Sequence, residues 1–104
     1  MHHIKFEDRT KYVKIINNIL NKGGKYFSTC FNIKDPKFSG PGQKIRIVPE
    51  NSRAIIGSIL YFSSLEELKE LFNSYFKIIE SKLFKSPAGG TRLNLWNYFF
   101  MEKP

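Results

Sequence analysis

The chain is poor in the residues that most often carry chemistry. Its 104 residues include one cysteine, Cys30, and two histidines, His2 and His3. A lone cysteine excludes an intramolecular disulfide and points to a reducing, cytoplasmic setting. His2 and His3 are adjacent at the start of the chain, so no fixed base is expected beside a nucleophile, and a Ser-His-Asp or Cys-His arrangement lacks its central member. Too few Cys and His residues are present for a zinc site. No apolar run approaches the roughly 18 residues that a membrane span needs. The longest, residues 54–62, contains Gly57 and Ser58. The opening MHHIKFEDR has no apolar core and does not read as a signal peptide. Acids are scarce as well: nine Asp and Glu stand against seventeen Lys and Arg, a formal net charge of +8.

That charge is uneven. Residues 1–64 hold eleven Lys and Arg against four acids, and residues 65–104 hold six against five. A concentrated positive half suggests a polyanionic partner. Aromatics are abundant, with ten Phe, five Tyr and one Trp. A single domain over 1–104 cannot easily hide them all, so some are expected at the surface.

The hydrophobic pattern gives the elements. A helix is expected from Asp8 to Lys22, with Asp8 as N-cap, an apolar stripe of Tyr12, Val13, Ile16, Ile19 and Leu20, and Gly23 and Gly24 as the stop. KYFSTCFNI, residues 25–33, alternates with period two, as does KIRIV, residues 44–48. AIIGSILYF, residues 54–62, reads as a strand apolar on both faces. SLEELKELFNSYFKIIESKLFK, residues 64–85, reads as one long amphipathic helix. Ser64 and Glu67 form its capping box, and Leu68, Phe72, Tyr75, Phe76, Ile79 and Leu83 form its apolar stripe. TRLNLWNYFF, residues 91–100, reads as a last strand. The expected fold class is α+β, an antiparallel sheet of about four strands with two helices on one face, in the order αβββαβ.

NIKDPKFSGPGQKIRI, residues 32–47, links two of these strands by about ten residues where a hairpin needs two to five. SGPGQK within it is not a phosphate loop: that motif needs Ser or Thr after its lysine and a helix beyond, and Lys44 is followed by Ile45 and a strand. With no ligand cluster and no phosphate loop, no metal, no cofactor and no enzymatic activity is expected. What remains is a binding surface. Lys25, Lys34, Lys37, Lys44 and Arg46 cluster against one acid, Asp35. If Ile45 and Ile47 face the core, Lys44 and Arg46 project outward, with Tyr26 on a strand beside them and Phe38 in the loop. Trp96 and Tyr98 join that face if the last strand pairs with their side outward. Cations among flat rings suit single-stranded DNA or RNA, because charges neutralise phosphates while bases stack.

The succession KYFSTCFNI, SGPGQKIRI, SLEELKELFNSYF resembles single-stranded-DNA-binding modules of the PC4 and PUR-alpha type. The resemblance implies that strands and basic loop hold the nucleic acid and that the helix supports dimerisation. The α-β-β-β-α order is also similar to that of a double-stranded-RNA-binding domain. That family reads phosphates with a Lys-rich helix start, whereas SSLEELKE is acidic. Two other classes fit the composition. One is a phage or mobile-element module that inhibits a host nucleic-acid enzyme. The other is a small RNA-cleaving toxin acting through Arg53, Tyr61 and Arg92. The surplus of aromatics and an open sheet edge leave room for a homodimer.

Overall fold

The computed structural model describes residues 1–36, 42–48, 58–87 and 93–104. A 3₁₀ turn, Phe6–Asp8, leads into α1, Arg9–Ile19, followed by β1, Lys25–Phe31; β2, Ile45–Val48; β3, Ser58–Tyr61; α2, Leu65–Asn73; β4, Lys77–Pro87; and β5, Leu93–Glu102. The fold is α+β. Three strands form an antiparallel sheet in the order β1-β5-β4, and β2 pairs with β3 in a two-stranded antiparallel ribbon. A parallel bridge between Asn32 and Ser63 joins the end of β1 to the chain just past β3.

Both helices pack on one side of the three-stranded sheet. Val13 of α1 and Leu68 and Phe72 of α2 meet Cys30, Phe99 and Met101 from the strands, with Phe76 sealing the turn after α2. Tyr12, Ile16 and Leu20 pack at the margin of this core, while Ile19 is 71% exposed and stands outside the expected stripe. A second, smaller core of Phe31, Leu60 and Phe62 lies where β3 meets the end of β1.

The start of α2 follows its sequence. The Ser64 hydroxyl accepts from the Glu67 N–H at 3.1 Å, and the Glu67 carboxylate accepts from the Ser64 N–H at 3.1 Å. These bonds satisfy two of the donors that a helix start leaves open. The far end does not follow it. The expected helix over 64–85 stops at Asn73, and the chain turns within three residues into β4. Ile78 and Ile79 are β-branched and lose side-chain freedom in a helix. As a strand, residues 77–87 give β5 a partner on its second edge along its whole length. The sheet therefore has a strand that the expected αβββαβ order lacks, and the described order is αβββαββ.

α1 also differs at its ends. Asp8 makes no side-chain cap bond. The helix stops before the glycines, and its open carbonyls are met from the other end of the chain: the Lys103 ammonium donates to Asn17 O at 2.7 Å and to Leu20 O at 2.9 Å. A cation there also suits the negative end of the helix dipole. Gly23, at φ 82°, takes the left-handed turn that follows.

Candidate functional site

β5 is the central strand, and its side chains alternate. Phe99 and Met101 point to the helices. Trp96, Tyr98 and Phe100 therefore point the other way, where no described helix packs. Register extends this face sideways. Phe27, Thr29 and Phe31 of β1 lie opposite Phe100, Tyr98 and Trp96. Glu80, Lys82 and Phe84 of β4 lie opposite the same three from the other side.

The result is a continuous sheet of rings. Phe27 stacks on Phe100 with centroids 4.4 Å apart and planes 8° apart. Tyr98 stands 6.3 Å from Phe27 and 6.3 Å from Phe84. Phe84 is 6.1 Å from Trp96 with planes 11° apart, and Trp96 stacks on Phe31 at 4.2 Å. One end of the row is closed by the His2 ring, 4.5 Å from Phe31. The other end is open: Phe27 is 60% exposed, and Phe84, Trp96, Tyr98 and Phe100 are half-buried. The Trp96 indole N–H donates to the Ser86 hydroxyl at 2.7 Å, which fixes the ring in the plane of the platform.

Charge is present at the border of the rings. The Lys82 ammonium sits 5.2 Å from the Tyr98 centroid, within cation–π range, and 3.1 Å from the Glu80 carboxylate. Lys25 pairs with Glu102 at 2.6 Å. The hydrogen bond from Lys25 holds the Glu102 carboxyl below the usual range.

The residues expected at the site are split by the structure. Lys25 is exposed at the open end of the ring platform, and Lys34 is exposed beyond β1. Lys44 is exposed on another part of the surface, bonded to Glu67 at 2.7 Å and 5.9 Å from the Phe6 ring. Together with Arg9, Thr10, Leu68 and Leu71 these residues line a shallow groove of about 330 Å³. Lys37 and Phe38 lie outside the described residues. Tyr26 does not face outward. It packs toward Phe76 at 5.7 Å on the helix side, with its hydroxyl 3.3 Å from that of Tyr12. The reason is parity: Tyr26 shares a face with the core residue Cys30, so Phe27 takes the outer position.

Arg46 is the larger correction. It is 1% exposed, whereas its neighbour Ile45 is 54% exposed, so the ribbon presents the face opposite to the one expected. The guanidinium lies 3.8 Å from the Phe62 centroid and donates to the carbonyls of Gln43 at 3.1 Å, Asp35 and Ile33 at 2.8 Å. Asp35 is itself fully buried, 4.0 Å from Arg46, and accepts from the Leu95 N–H at 2.6 Å. Arg46 thus ties both ends of the long connection to the strands. Backbone carbonyls drawn away from water need donors, and the planar five-donor guanidinium reaches three of them, the Ile33 carbonyl also accepting from the Gly42 N–H at 2.6 Å.

Of the three catalytic candidates, Tyr61 alone lies among the described residues. Tyr61 is buried, with its ring 5.3 Å from that of Phe6, and Arg53 and Arg92 lie outside the described residues. Cys30 sits in the core, where burial pushes its thiol up. A thiol held protonated is a poor nucleophile. No helix among the described residues is long and apolar enough to cross a membrane. No protein-family model matches the chain, and no curated protein matches it in sequence.

The sequence reading misses Phe27, Phe84 and Phe100 as platform residues. For Phe27 and Phe100 the signal was available in the two-residue alternation of KYFSTCF and WNYFF. For Phe84 it was hidden, because that segment also fits a helix.

Proposed function

We propose that the chain is a non-enzymatic binder of single-stranded nucleic acid, DNA or RNA, and that the strand lies across the face of the β1-β5-β4 sheet opposite α1 and α2. The observation that carries this reading is the outward row Trp96, Tyr98 and Phe100 on the central strand, flanked by Phe27 and Phe84. Side chains on one face of a strand recur about every 6.8 Å, so the row offers successive flat surfaces to unstacked bases. Each base stacked on an aromatic ring contributes about 1–3 kcal/mol without regard to base identity. Among the described residues, Lys25 and Lys82 stand beside the rings and can meet phosphates there, and Lys34 is exposed beyond the end of β1. Lys44 belongs to a separate stretch of surface, and Arg46 serves the fold. The formal charge of +8 supports attraction of a polyanion over longer range.

The chain has one tryptophan, and it lies on this face, so its fluorescence is a direct probe. Titration with a short unstructured oligonucleotide at low salt should quench or shift Trp96 emission, with affinity falling steeply as salt rises. Absence of any spectral change or co-migration with oligonucleotides of either sugar at low salt would overturn the proposal.

A second reading has its own support. Glu80 and Glu102 pair with two of the lysines beside the rings, which leaves the platform itself close to neutral. A neutral aromatic face also suits a protein surface, as in an inhibitor of a host nucleic-acid enzyme. A partner that remains bound after nuclease treatment favours this second reading.

A further inference from the structure

We infer that two copies of this chain pair antiparallel through their β4 edges, about a two-fold axis at Ser81. β4 runs eleven residues, from Lys77 to Pro87, and pairs with β5 on one side. No other strand among the described residues pairs with its second edge. Exposed edges of this length template further pairing unless they are protected, commonly by lysines and bulges. β4 carries both devices. Its register slips between Ile78 and Glu80, and Lys77, Lys82 and Lys85 lie along it.

The protection is incomplete in one specific way. Glu80 stands two residues from Lys82 on the same face, 3.1 Å from it, and both side chains are about half exposed, at 49% and 56%. Any antiparallel pair centred on Ser81 sets Glu80 of each copy directly opposite Lys82 of the other. The edge is therefore complementary in charge to itself. Counted along the same register, Ile79, the residue at the bulge, falls across from Leu83 of the second copy. These are two of the exposed large apolar side chains, 47% and 46% exposed, and neither is covered by the short α2. Opposite charges and apolar pairs directly across a ladder favour pairing, and like charges oppose it. The occupant the edge fits is thus a second copy. The two ring platforms would then lie side by side on one six-stranded sheet. This inference does not depend on the proposed ligand, because the dimer forms without it.

The test is a charge swap, read by sedimentation velocity of the full chain across a range of concentrations without nucleic acid. The wild-type chain should show a concentration-dependent dimer. Glu80→Lys places lysine opposite lysine and should raise the dimer dissociation constant by about tenfold. Lys82→Glu should do the same by placing glutamate opposite glutamate. The double variant Glu80→Lys/Lys82→Glu restores opposite charges in the reversed sense and should recover the wild-type constant. Both positions are solvent-facing, so far-UV circular dichroism should be unchanged in all three. A chain that stays monomeric at every concentration would overturn the inference. So would a dimer indifferent to either single reversal, or a double variant no tighter than the singles.

Discussion

Phe99 and Phe100 are neighbours on one strand with opposite fates: Phe99 is 1% exposed beneath the helices, and Phe100 stacks on Phe27 on the face the helices leave bare. The two rings separate what the core needs from what the surface offers. Phe99→Ala should cost about 3–5 kcal/mol of stability through lost burial and the cavity left behind. Phe27→Ala, across from Phe100, should cost about 1 kcal/mol or less, because a side chain that stays mostly in water has little transfer energy to lose. Under the proposed function it should nevertheless weaken oligonucleotide binding by about tenfold, the loss of roughly one stacked base. Urea denaturation paired with Trp96 titration measures both quantities. A Phe27→Ala chain with unchanged affinity removes the ring platform from the site.

Arg46 and Lys44 sit two residues apart and should behave very differently. Arg46→Ala removes a donor from the carbonyls of Ile33, Asp35 and Gln43 and the guanidinium beside the buried Asp35 carboxylate. A loss of about 3–5 kcal/mol is expected. Arg46→Lys should recover little of it, since an ammonium cannot reach three carbonyls in a planar fork. Lys44→Ala should fall within about 1 kcal/mol, the range of exposed ion pairs. Similar midpoints for the two alanine variants would contradict the buried role of Arg46.

The capping box gives a local prediction. Ser64→Ala should destabilise the fold by about 0.5–2 kcal/mol by removing the acceptor for the Glu67 N–H. Ser64→Asp should retain most of the stability, because the aspartate carboxylate can accept the same bond. Thermal melts of the three chains side by side check the order.

Acid should unfold the chain partly through Glu67. Burial alone would push its carboxyl up, but the bonds from Lys44 and from the Ser64 N–H outweigh burial and hold it below its usual value of 4.5. A carboxylate depressed on folding stabilises the native state above its unfolded pKa, and that contribution is lost as pH falls through the lower folded value. The melting temperature should therefore hold from neutrality to about pH 5 and decline below about 4.5. Glu67→Gln should lower the plateau and flatten the decline. A decline of unchanged depth in that variant assigns the acid sensitivity elsewhere.

The sequence carried most of the element order and half of the platform. Period-two alternation correctly separated Trp96 and Tyr98 from Leu95 and Phe99. It could not say which parity faces water, and that depends on where the helices land. In β1 and β2 the structure has the opposite parity to the expected one, with Tyr26 and Arg46 inward and Phe27 and Ile45 outward. In β2 the decisive fact is remote: the guanidinium finds carbonyls of the preceding connection and the Phe62 ring on the inner side, so Arg46 turns inward and Ile45 outward. The second half of the expected long helix failed for a related reason. Leu68, Phe72 and Phe76 fit a helix, and Ile78, Leu83 and Phe84 fit either a helix or a strand. The vacant edge of β5 decides between them, and that edge lies in residues further along the chain.

The place of β5 has a bearing on how the chain acquires its fold. β5, which follows every other described strand in sequence, lies at the centre of the sheet, between β1, some seventy residues earlier, and β4. Before residues 93–102 leave the ribosome, β1 and β4 have no common partner, and Lys103 is not yet present to close the end of α1. Sheet assembly is thus a late, cooperative event with a high share of distant contacts, which slows folding. Until then a nascent chain leaves the edges of β1 and β4 that β5 will cover without a partner. The interval before residues 93–102 emerge is therefore an aggregation-prone stage of synthesis.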